Sequence, residues 1–452
     1  MYGHNMPMKS IQHIFMTLIL FCLHASVCLN ADTVKDRDGS IRNDRKQLES
    51  GTRWKYNDLE SGFAEARRTG KPLMVALRCV PCLACSGIDT EVLLENNDIA
   101  NQLDKFVCVR LINANSLDLA KFQFDFDLSY SVLFFNGDGT LYGRFGSWVH
   151  QKDAQEKSTI SFIDSINAAL DLHKNYPQNK ALLQKKQSAP MPWKTPADMP
   201  SLAGKYTPQL SWDTKLVQSC VHCHQIGDAL RKNYQETTGS IPTRWIYPHP
   251  EPETLGLSMS ESEFNLVDKV SEGSPADQAG IEIGDRIISL DEQALLSVAD
   301  IRWALHQLDD SDSCHLQINR SGSSRKLSIQ LPEGWKEKSD ISRRVGTWPM
   351  RAMAFGGMFL EDLDQESRRE ANLSEDSLAL LAKHVGQYGD HAVAKKAGVI
   401  KGDIIISMAG VESRFTESRM IGYILKNFKP GDTVKVTILR NGKEIKTQYN
   451  VQ

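Results

Sequence analysis

Two cysteine pairs with CxxC spacing are the residues of this chain best suited to chemistry. The first, Cys82 and Cys85, directly follows the apolar run 72–77 and opens the segment 86–94, which has a helical pattern. At a strand-to-helix junction, the unpaired N–H groups and the helix dipole favour a thiolate on the first sulfur. The second sulfur lies one helical turn further on, within reach of a disulfide. The spacing predicts thiol redox chemistry, with Cys79 as an accessory thiol that can exchange with Cys82.

The second pair is followed directly by a histidine, in the sequence Cys220-Val221-His222-Cys223-His224. CxxCH is the attachment signature of c-type haem, with two thioethers from the cysteines and the histidine on the iron. We therefore predict haem c at Cys220, Cys223 and His224. His249 or Met259 would be the second ligand of the haem iron. A local disulfide, or a small metal site that uses the same residues, is the alternative.

The N-terminus, residues 1–31, reads as a secretory signal peptide. Lys9 is the only charged residue before Asp32, the apolar run 14–23 follows it, and Ala31 offers a cleavage site. An uncleaved membrane anchor is the alternative, and only then would the chain contact a membrane. The prediction is an exported protein of the periplasm or cell envelope, where disulfides persist. The net charge of −3 gives no sign of nucleic-acid binding.

The rest of the chain divides into segments of different composition. Residues 32–50 are polar and predicted to be disordered, and residues 51–178 alternate helical and strand patterns as in an α/β domain. Residues 179–205 are rich in proline and lysine and read as a linker. Residues 206–252 hold the CxxCH motif.

An internal repeat fills the C-terminal part, over residues 254–335 and 350–452. Ala279-Gly280 and Gly284-Asp285 recur at the same spacing as Ala397-Gly398 and Gly402-Asp403. Each copy continues with a helical segment and a closing strand pair, and the pattern resembles two PDZ domains of the bacterial type. The loops expected to bind a peptide carboxylate are Leu255, Gly256, Leu257 and Ser258 in the first copy, and Gly356, Gly357, Met358 and Phe359 in the second.

The four glycines of this repeat are expected to differ in role. Gly256 and Gly357 lie in the binding loops, so a side chain there should weaken peptide binding and leave the fold largely intact. Gly280 and Gly398 serve turns within the fold, so substitutions there should also lower stability.

Residues Lys71-Pro72 to Glu91-Val92 resemble the thioredoxin-7 branch of thioredoxin-like proteins, and the chain from about residue 50 onwards resembles thioredoxin–PDZ fusion proteins, some of which carry selenocysteine. The resemblance implies that Cys82 is the attacking thiol and Cys85 the resolving thiol. Three positions depart from thioredoxins: Pro81 stands in place of the usual tryptophan, Ala76 in place of the buried acid, and Tyr130 near the expected cis-proline.

The sequence therefore predicts a multidomain α+β protein, with a thioredoxin-like domain, a CxxCH segment and two PDZ domains. The function expected is thiol–disulfide exchange or electron transfer, with peptide clients bound by the PDZ domains and a separate redox partner protein. A non-enzymatic PDZ adaptor with an inactive thioredoxin-like fold, and a pure haem electron carrier, are the alternatives.

No glycine-rich motif surrounds a serine as in trypsin-like proteases. The lone histidines His306 and His384 are expected to be solvated or to cap helices.

Overall fold

The computed structural model describes residues 36–78, 97–128, 130–147, 155–309 and 312–452. The predicted signal peptide, and the thiols of Cys79, Cys82 and Cys85, lie outside the described residues.

A five-stranded mixed sheet forms the N-terminal module. Its strands are β1 (Trp54–Tyr56), β2 (Leu73–Arg78), β3 (Val107–Leu111), β4 (Tyr130–Phe135) and β5 (Leu141–Ser147), in the order β1-β3-β2-β4-β5. Strands β1 and β2 run parallel to β3, whereas β4 and β5 are antiparallel to their neighbours. Strands β2, β3 and β4 are buried along their whole length and are mostly apolar, with Arg78, Arg110 and Ser131 as buried polar residues.

In the described part of this module, four helices accompany the sheet: α1 (Arg37–Glu49), α2 (Leu59–Thr69), α3 (Asn97–Leu103) and α4 (Gln155–Lys174). Helix α1 corrects the prediction of disorder over residues 32–50 for the helical part, residues 37–49. Its side chains Ile41 and Leu48 are buried, and Asp44 lies 2.8 Å from the fully buried guanidinium of Arg110. These partners are distant in sequence, so the composition of residues 32–50 alone gave no sign of them.

The predicted linker, residues 179–205, packs along the N-terminal module instead of spanning open solvent. It begins with a 3₁₀ turn, Lys180–Lys186, and buries Leu183 and Met199. The amide of Leu119 donates to the carbonyl of Lys194 at 2.9 Å, and the amide of Ala197 to the carbonyl of Asn115 at 3.2 Å. Helices α5 (Cys223–Thr238) and α6 (Thr243–Ile246) follow it.

The described helices and strands of the first repeat agree with the predicted helix and closing strand pair. They are β6 (Leu257–Met259), β7 (Val267–Val270), α7 (Pro275–Gln278), β8 (Arg286–Leu290), β9 (Gln293–Ala294), α8 (Val298–Gln307), β10 (Ser313–Arg320) and β11 (Ser323–Gln330). Strands β11-β10-β8-β9 form one sheet, and β6 pairs with β7.

The second repeat resembles the first, but in the described residues it has one more helix between its first two strands and no counterpart of β9. Helix α9 (Thr347–Phe355) precedes it. Its elements are β12 (Met358–Asp362), α10 (Gln365–Glu370), β13 (Leu380–Val385), α11 (Val393–Lys396), β14 (Ile404–Met408), α12 (Glu417–Asn427), β15 (Thr433–Arg440) and β16 (Lys443–Asn450). The strands form one sheet in the order β12-β13-β14-β15-β16. The second copy also contains an extra polar stretch, residues 361–390, and helix α10 lies within it.

An ion pair at equivalent positions explains the conserved spacing of the two copies. In the first copy, Arg320 Nε donates to Asp285 at 2.7 Å, and its Nη2 donates to the carbonyl of Gly280 at 2.7 Å. In the second, Arg440 makes the same bonds to Asp403 and to the carbonyl of Gly398, at 2.6 and 2.8 Å. The glycine turn and the aspartate are thus tied to the closing hairpin in each copy.

Buried charges join the repeats to the N-terminal module. Asp300 of α8 accepts from Lys186 Nζ at 2.7 Å and lies 3.3 Å from Arg144 Nη1 of β5. Arg344, just before α9, pairs with Asp127 at 2.8 Å and with Asp125. Among the residues that the structure describes, no helix has the length and hydropathy required to cross a membrane.

Candidate redox site at the end of strand β2

The CxxCH segment lies against the C-terminal end of β2. A cavity of about 30 Å³ is lined by Leu77 and Arg78 of β2 and by Cys220, His222 and Cys223. Cys79 follows Arg78 directly in the sequence, and Cys82 follows three residues later. The structure therefore places the second cysteine pair at the C-terminal end of β2, and Cys79 and the first pair follow this strand in the sequence.

Asn115 of the N-terminal module holds the CxxCH segment in place. Its Oδ1 accepts the amide of Val221 at 2.7 Å, and its Nδ2 donates to the carbonyl of Ser219 at 2.8 Å. Both Asn115 and Val221 are almost fully buried. The sequence gave no signal for Asn115, because a single asparagine in a loop is not a motif.

The two sulfurs of the pair have different surroundings. Cys220 Sγ donates to the carbonyl of Ile112 at 3.2 Å. Cys223 is the first residue of α5, where unpaired N–H groups and the helix dipole favour negative charge. Cys223 is therefore the better placed of the two to act as a thiolate nucleophile.

Two histidines flank Cys223. The rings of His222 and His224 stack with their centroids 5.9 Å apart. Burial, with smaller effects of His224 and Arg37, lowers the pKa of His222 to about 4. His224 Nδ1 lies 3.4 Å from Asp228 Oδ2, one turn along α5. His222 is therefore neutral at neutral pH, and His224 is turned toward the helix flank.

The residues as placed do not fit a covalently attached haem. Among the described residues, the cavity beside Cys220 and Cys223 has a volume of about 30 Å³, far less than a porphyrin occupies. Val221, between the two cysteines, fills the interior, and His222 lines the cavity while His224 does not. A macrocycle attached to both sulfurs would have to displace this packing.

The two predicted second ligands lie elsewhere. His249 is buried against His306 in a separate cavity, with ring centroids 4.5 Å apart. Met259 is the last residue of β6 and packs on the core of the first repeat. The structure does not bring either residue to the cavity that Cys220 and Cys223 line. Within the described ranges, no cluster of three or more His, Cys, Asp or Glu side chains is arranged to hold a metal ion.

The predicted peptide-binding loops are used partly for the fold itself. The amides of Gly356 and Gly357 donate to the carbonyls of Ala352 and Arg351, and so close helix α9. The amide of Gly256 donates to the carbonyl of Glu253 at 3.0 Å in the same manner. Leu255 is buried beside it, Leu257 and Ser258 begin β6, and Met358 and Phe359 begin β12.

The space around these glycines contradicts the expectation that a side chain there leaves the fold intact. A Cβ at Gly357 would lie 2.1 Å from the carbonyl oxygen of His391, and one at Gly256 would lie 2.2 Å from Ser274 Cβ. At Gly280 and Gly398, by contrast, nothing lies within 4 Å of the added atom.

The prediction for His306 was also wrong: this residue of α8 is 2% exposed. His384 is exposed, as predicted, although it lies on strand β13. A signal for His306 was present, because Trp303 lies three residues earlier on the same face of the helix.

Residues 54–137 match the family model described as thioredoxin-like, and residues 254–331 match the family model of the PDZ domain. The chain thus contains a thioredoxin-like domain and a PDZ domain. It is also 25% identical over 194 residues to a probable periplasmic serine endoprotease DegP-like of Pseudomonas savastanoi pv. phaseolicola, and 28% identical over 197 residues to one of Pseudomonas putida. Each match covers 42% of this chain and 38% of the relative.

The chain therefore spans about two fifths of the length of these relatives. Among solved structures, the HtrA-type protease AlgW with decapeptide is 16% identical with a TM-score of 0.21, over 31% of this chain and 49% of that one. The serine endoprotease from Yersinia pestis is 28% identical with a TM-score of 0.15, over 15% of this chain and 25% of that one.

Proposed function

We propose that this chain is an exported thiol–disulfide oxidoreductase whose two repeats are PDZ domains that bind client peptides. The observation that carries the proposal is the cavity at the end of β2. There the thioredoxin-like domain, whose next residues are Cys79 and the pair Cys82–Cys85, meets Cys220 and Cys223. Export is supported by the N-terminal sequence and by relatives that are named periplasmic.

We assign dithiol–disulfide chemistry, in place of haem, to the CxxCH motif. Chain connectivity limits the Cα of Cys82 to within about 14 Å of the Cα of Arg78, which lines the cavity with Cys223. The two pairs are therefore suited to exchange electrons with each other. The pair at Cys82 would act on clients, and the pair at Cys220 would restore its redox state.

The proposed exchange between the two cysteine pairs consists of two successive thiolate attacks. The Cys223 thiolate attacks Cys82 Sγ of a Cys82–Cys85 disulfide, which forms a mixed disulfide and releases Cys85 as a thiolate. The Cys220 thiol gives its proton to that thiolate and then attacks Cys223, which closes the Cys220–Cys223 disulfide and releases Cys82. Two electrons pass to the first pair, and the reverse direction follows the same steps.

Repeat geometry supports a second PDZ domain in residues 350–452. Both copies contain two strands, a short helix, a strand, a longer helix and a closing strand pair, in that order, and the second copy has the same Asp–Arg pair as the copy that matches the PDZ model. Bacterial-type PDZ domains bind extended peptides by adding a strand to a sheet edge. Clients held in this way would be presented to the dithiols of the same chain.

The oxidoreductase proposal is tested by cysteine variants in an insulin-reduction assay. We expect Cys82→Ser to abolish reduction, Cys85→Ser to accumulate mixed disulfides with substrate, and Cys314→Ala to retain activity as a buried control outside the site. Wild-type protein without exchange activity, in any of several dithiol buffers, would favour the adaptor alternative.

The role of the second pair needs a separate measurement. In the Cys79/Cys82/Cys85→Ser variant, mass spectrometry after alkylation in glutathione redox buffers should show a Cys220–Cys223 disulfide that forms and opens as the buffer changes. A c-type absorption band that survives acid–acetone extraction, in protein from a host that attaches haem, would overturn this assignment.

A further inference from the structure

A second and larger cavity lies where four parts of the chain meet. Its volume is about 420 Å³. It is bounded by residues 123–126 of the N-terminal module, residues 188–193 of the predicted linker, helices α5 and α6, and helix α8 of the first repeat. We call it the aromatic cavity. Its volume is within the range of small-molecule sites in proteins. It does not share a lining residue with the cavity at Cys220.

The walls of the aromatic cavity are dominated by ring side chains. They come from all four parts of the boundary: Phe124, Phe126, Trp193, Tyr234, Trp245 and Trp303. Trp245 and Trp303 are 9% and 4% exposed, so the interior of the chain fixes their positions. The flat faces of these six rings favour a ligand that is itself flat and apolar, because aromatic rings stack on one another.

Two buried histidines supply uncharged polar groups. His306 Nδ1 accepts the amide of His249 at 3.4 Å, so the proton of the neutral ring is on Nε2. Among the described residues, neither that Nε2 nor either ring nitrogen of His249 has a hydrogen-bond partner. Both side chains line the cavity although they are only 2% and 4% exposed. Burial first, and then neighbouring cations, hold both pKa values well below 6.5.

Arg244 is the one charged residue that lines the aromatic cavity in the described structure, since both histidines are neutral. No carboxylate among the described residues pairs with it. Its charge acts on the cavity, because it contributes to the lowered pKa of His306. A guanidinium presents two parallel N–H donors that match a carboxylate.

We propose that the aromatic cavity binds a small aromatic carboxylate. The aromatic walls would stack on its ring, Arg244 would pair with its carboxylate, and the imidazole groups of His249 and His306 would bond its remaining polar atoms. A single guanidinium matches a monoanion, whereas a phosphate dianion would leave charge unbalanced in this interior. The proposal is independent of the cysteine chemistry above.

Isothermal titration calorimetry of the full chain with 2-naphthoate tests the proposal. We expect one binding site per chain, at least tenfold weaker binding of the neutral 2-naphthamide, and no binding of acetate. Arg244→Gln should weaken 2-naphthoate binding about tenfold or more, since it removes a charge-assisted hydrogen bond. Arg325→Gln, a charge-matched change on exposed strand β11, should leave binding unchanged.

A second variant keeps the proposal testable if Arg244→Gln does not fold. Asn233→Trp places a large ring into the cavity from α5 and should abolish binding, with a near-ultraviolet circular dichroism spectrum that shows an intact fold. Equal binding of the acid and the amide, binding that survives Asn233→Trp, or absence of 2-naphthoate binding to the wild-type chain would each overturn the proposal.

Discussion

At the scale of single residues, the surroundings of Cys220 and Cys223 are the basis for the dithiol chemistry that we propose for them. The same CxxCH letters are compatible with haem, a disulfide or a metal, and each needs a different amount of space. Here Asn115 holds the segment against the N-terminal module, and the described residues leave about 30 Å³ of space beside the sulfurs. The helix start at Cys223 and the carbonyl bonded to Cys220 distinguish the two thiols.

His222 should make the stability of the chain depend on pH. Its pKa is about 4 in the folded state against an ordinary 6.5, so the unfolded chain binds its proton more readily. Stability is therefore lost as pH falls from about 6.5 toward 4, by on the order of 2 kcal/mol at pH 5. His222→Asn, which can still cap α5, should lose less stability between pH 7 and pH 5 than the wild type in urea denaturation. Equal losses in the two proteins would show that His222 does not titrate in this way.

At the scale of elements, each repeat depends on glycines that play two different parts. Gly256 and Gly357 end a helical turn and lie directly against another segment of the chain. Gly280 and Gly398 have positive φ angles of 75° and 90° but open space around them. The distance from an added Cβ to the nearest atoms therefore indicates the role of each glycine better than its position next to a predicted binding loop does.

Alanine substitutions should separate these two classes. Gly398→Ala should cost about 1–2 kcal/mol of unfolding free energy, which is the cost of a left-handed backbone with a side chain. Gly357→Ala should cost clearly more, because its Cβ would collide with the carbonyl of His391. The midpoints of urea unfolding give the comparison, and a smaller loss for Gly357→Ala than for Gly398→Ala would contradict it.

At the scale of the whole molecule, buried charges position the first repeat on the thioredoxin-like domain. Asp300 of α8 faces Arg144 and Lys186, and all three side chains are at most 2% exposed. The ring of Trp303, one turn further along α8, lies 3.9 Å from the guanidinium carbon of Arg144. The same contacts that join the two domains therefore also position one wall of the aromatic cavity.

Asp300→Asn should destabilise this junction strongly. It would leave two buried cations without their anion, a change that typically costs about 3–5 kcal/mol. Glu292→Gln is the matched control, because it removes an exposed partner of Lys185 at 3.0 Å. Urea unfolding should detect a large loss for Asp300→Asn and little change for Glu292→Gln. A comparable small effect of both substitutions would show that the Asp300 cluster does not hold the domains together.

The sequence by itself determined the local elements. The apolar run 72–77 predicted β2, and the repeated AG-to-GD spacing predicted two related copies, each with a helix and a closing strand pair. These predictions succeeded because strand burial and tight turns depend on neighbouring residues. The attacking and resolving roles of Cys82 and Cys85 stay predictions, since both residues lie outside the described ranges.

Tertiary structure alone decided which elements meet. Partners that are distant along the chain hold the helix at 37–49 and the predicted linker 179–205, such as Arg110 for Asp44 and Lys194 for Leu119. The burial of His306 also depends on such distant partners. For the same reason, only the structure places Cys220 and Cys223 at the end of β2 and His249 and His306 in the aromatic cavity. A motif specifies which reactions its side chains can support, whereas the space and the charges around it are set by residues that the fold brings from elsewhere.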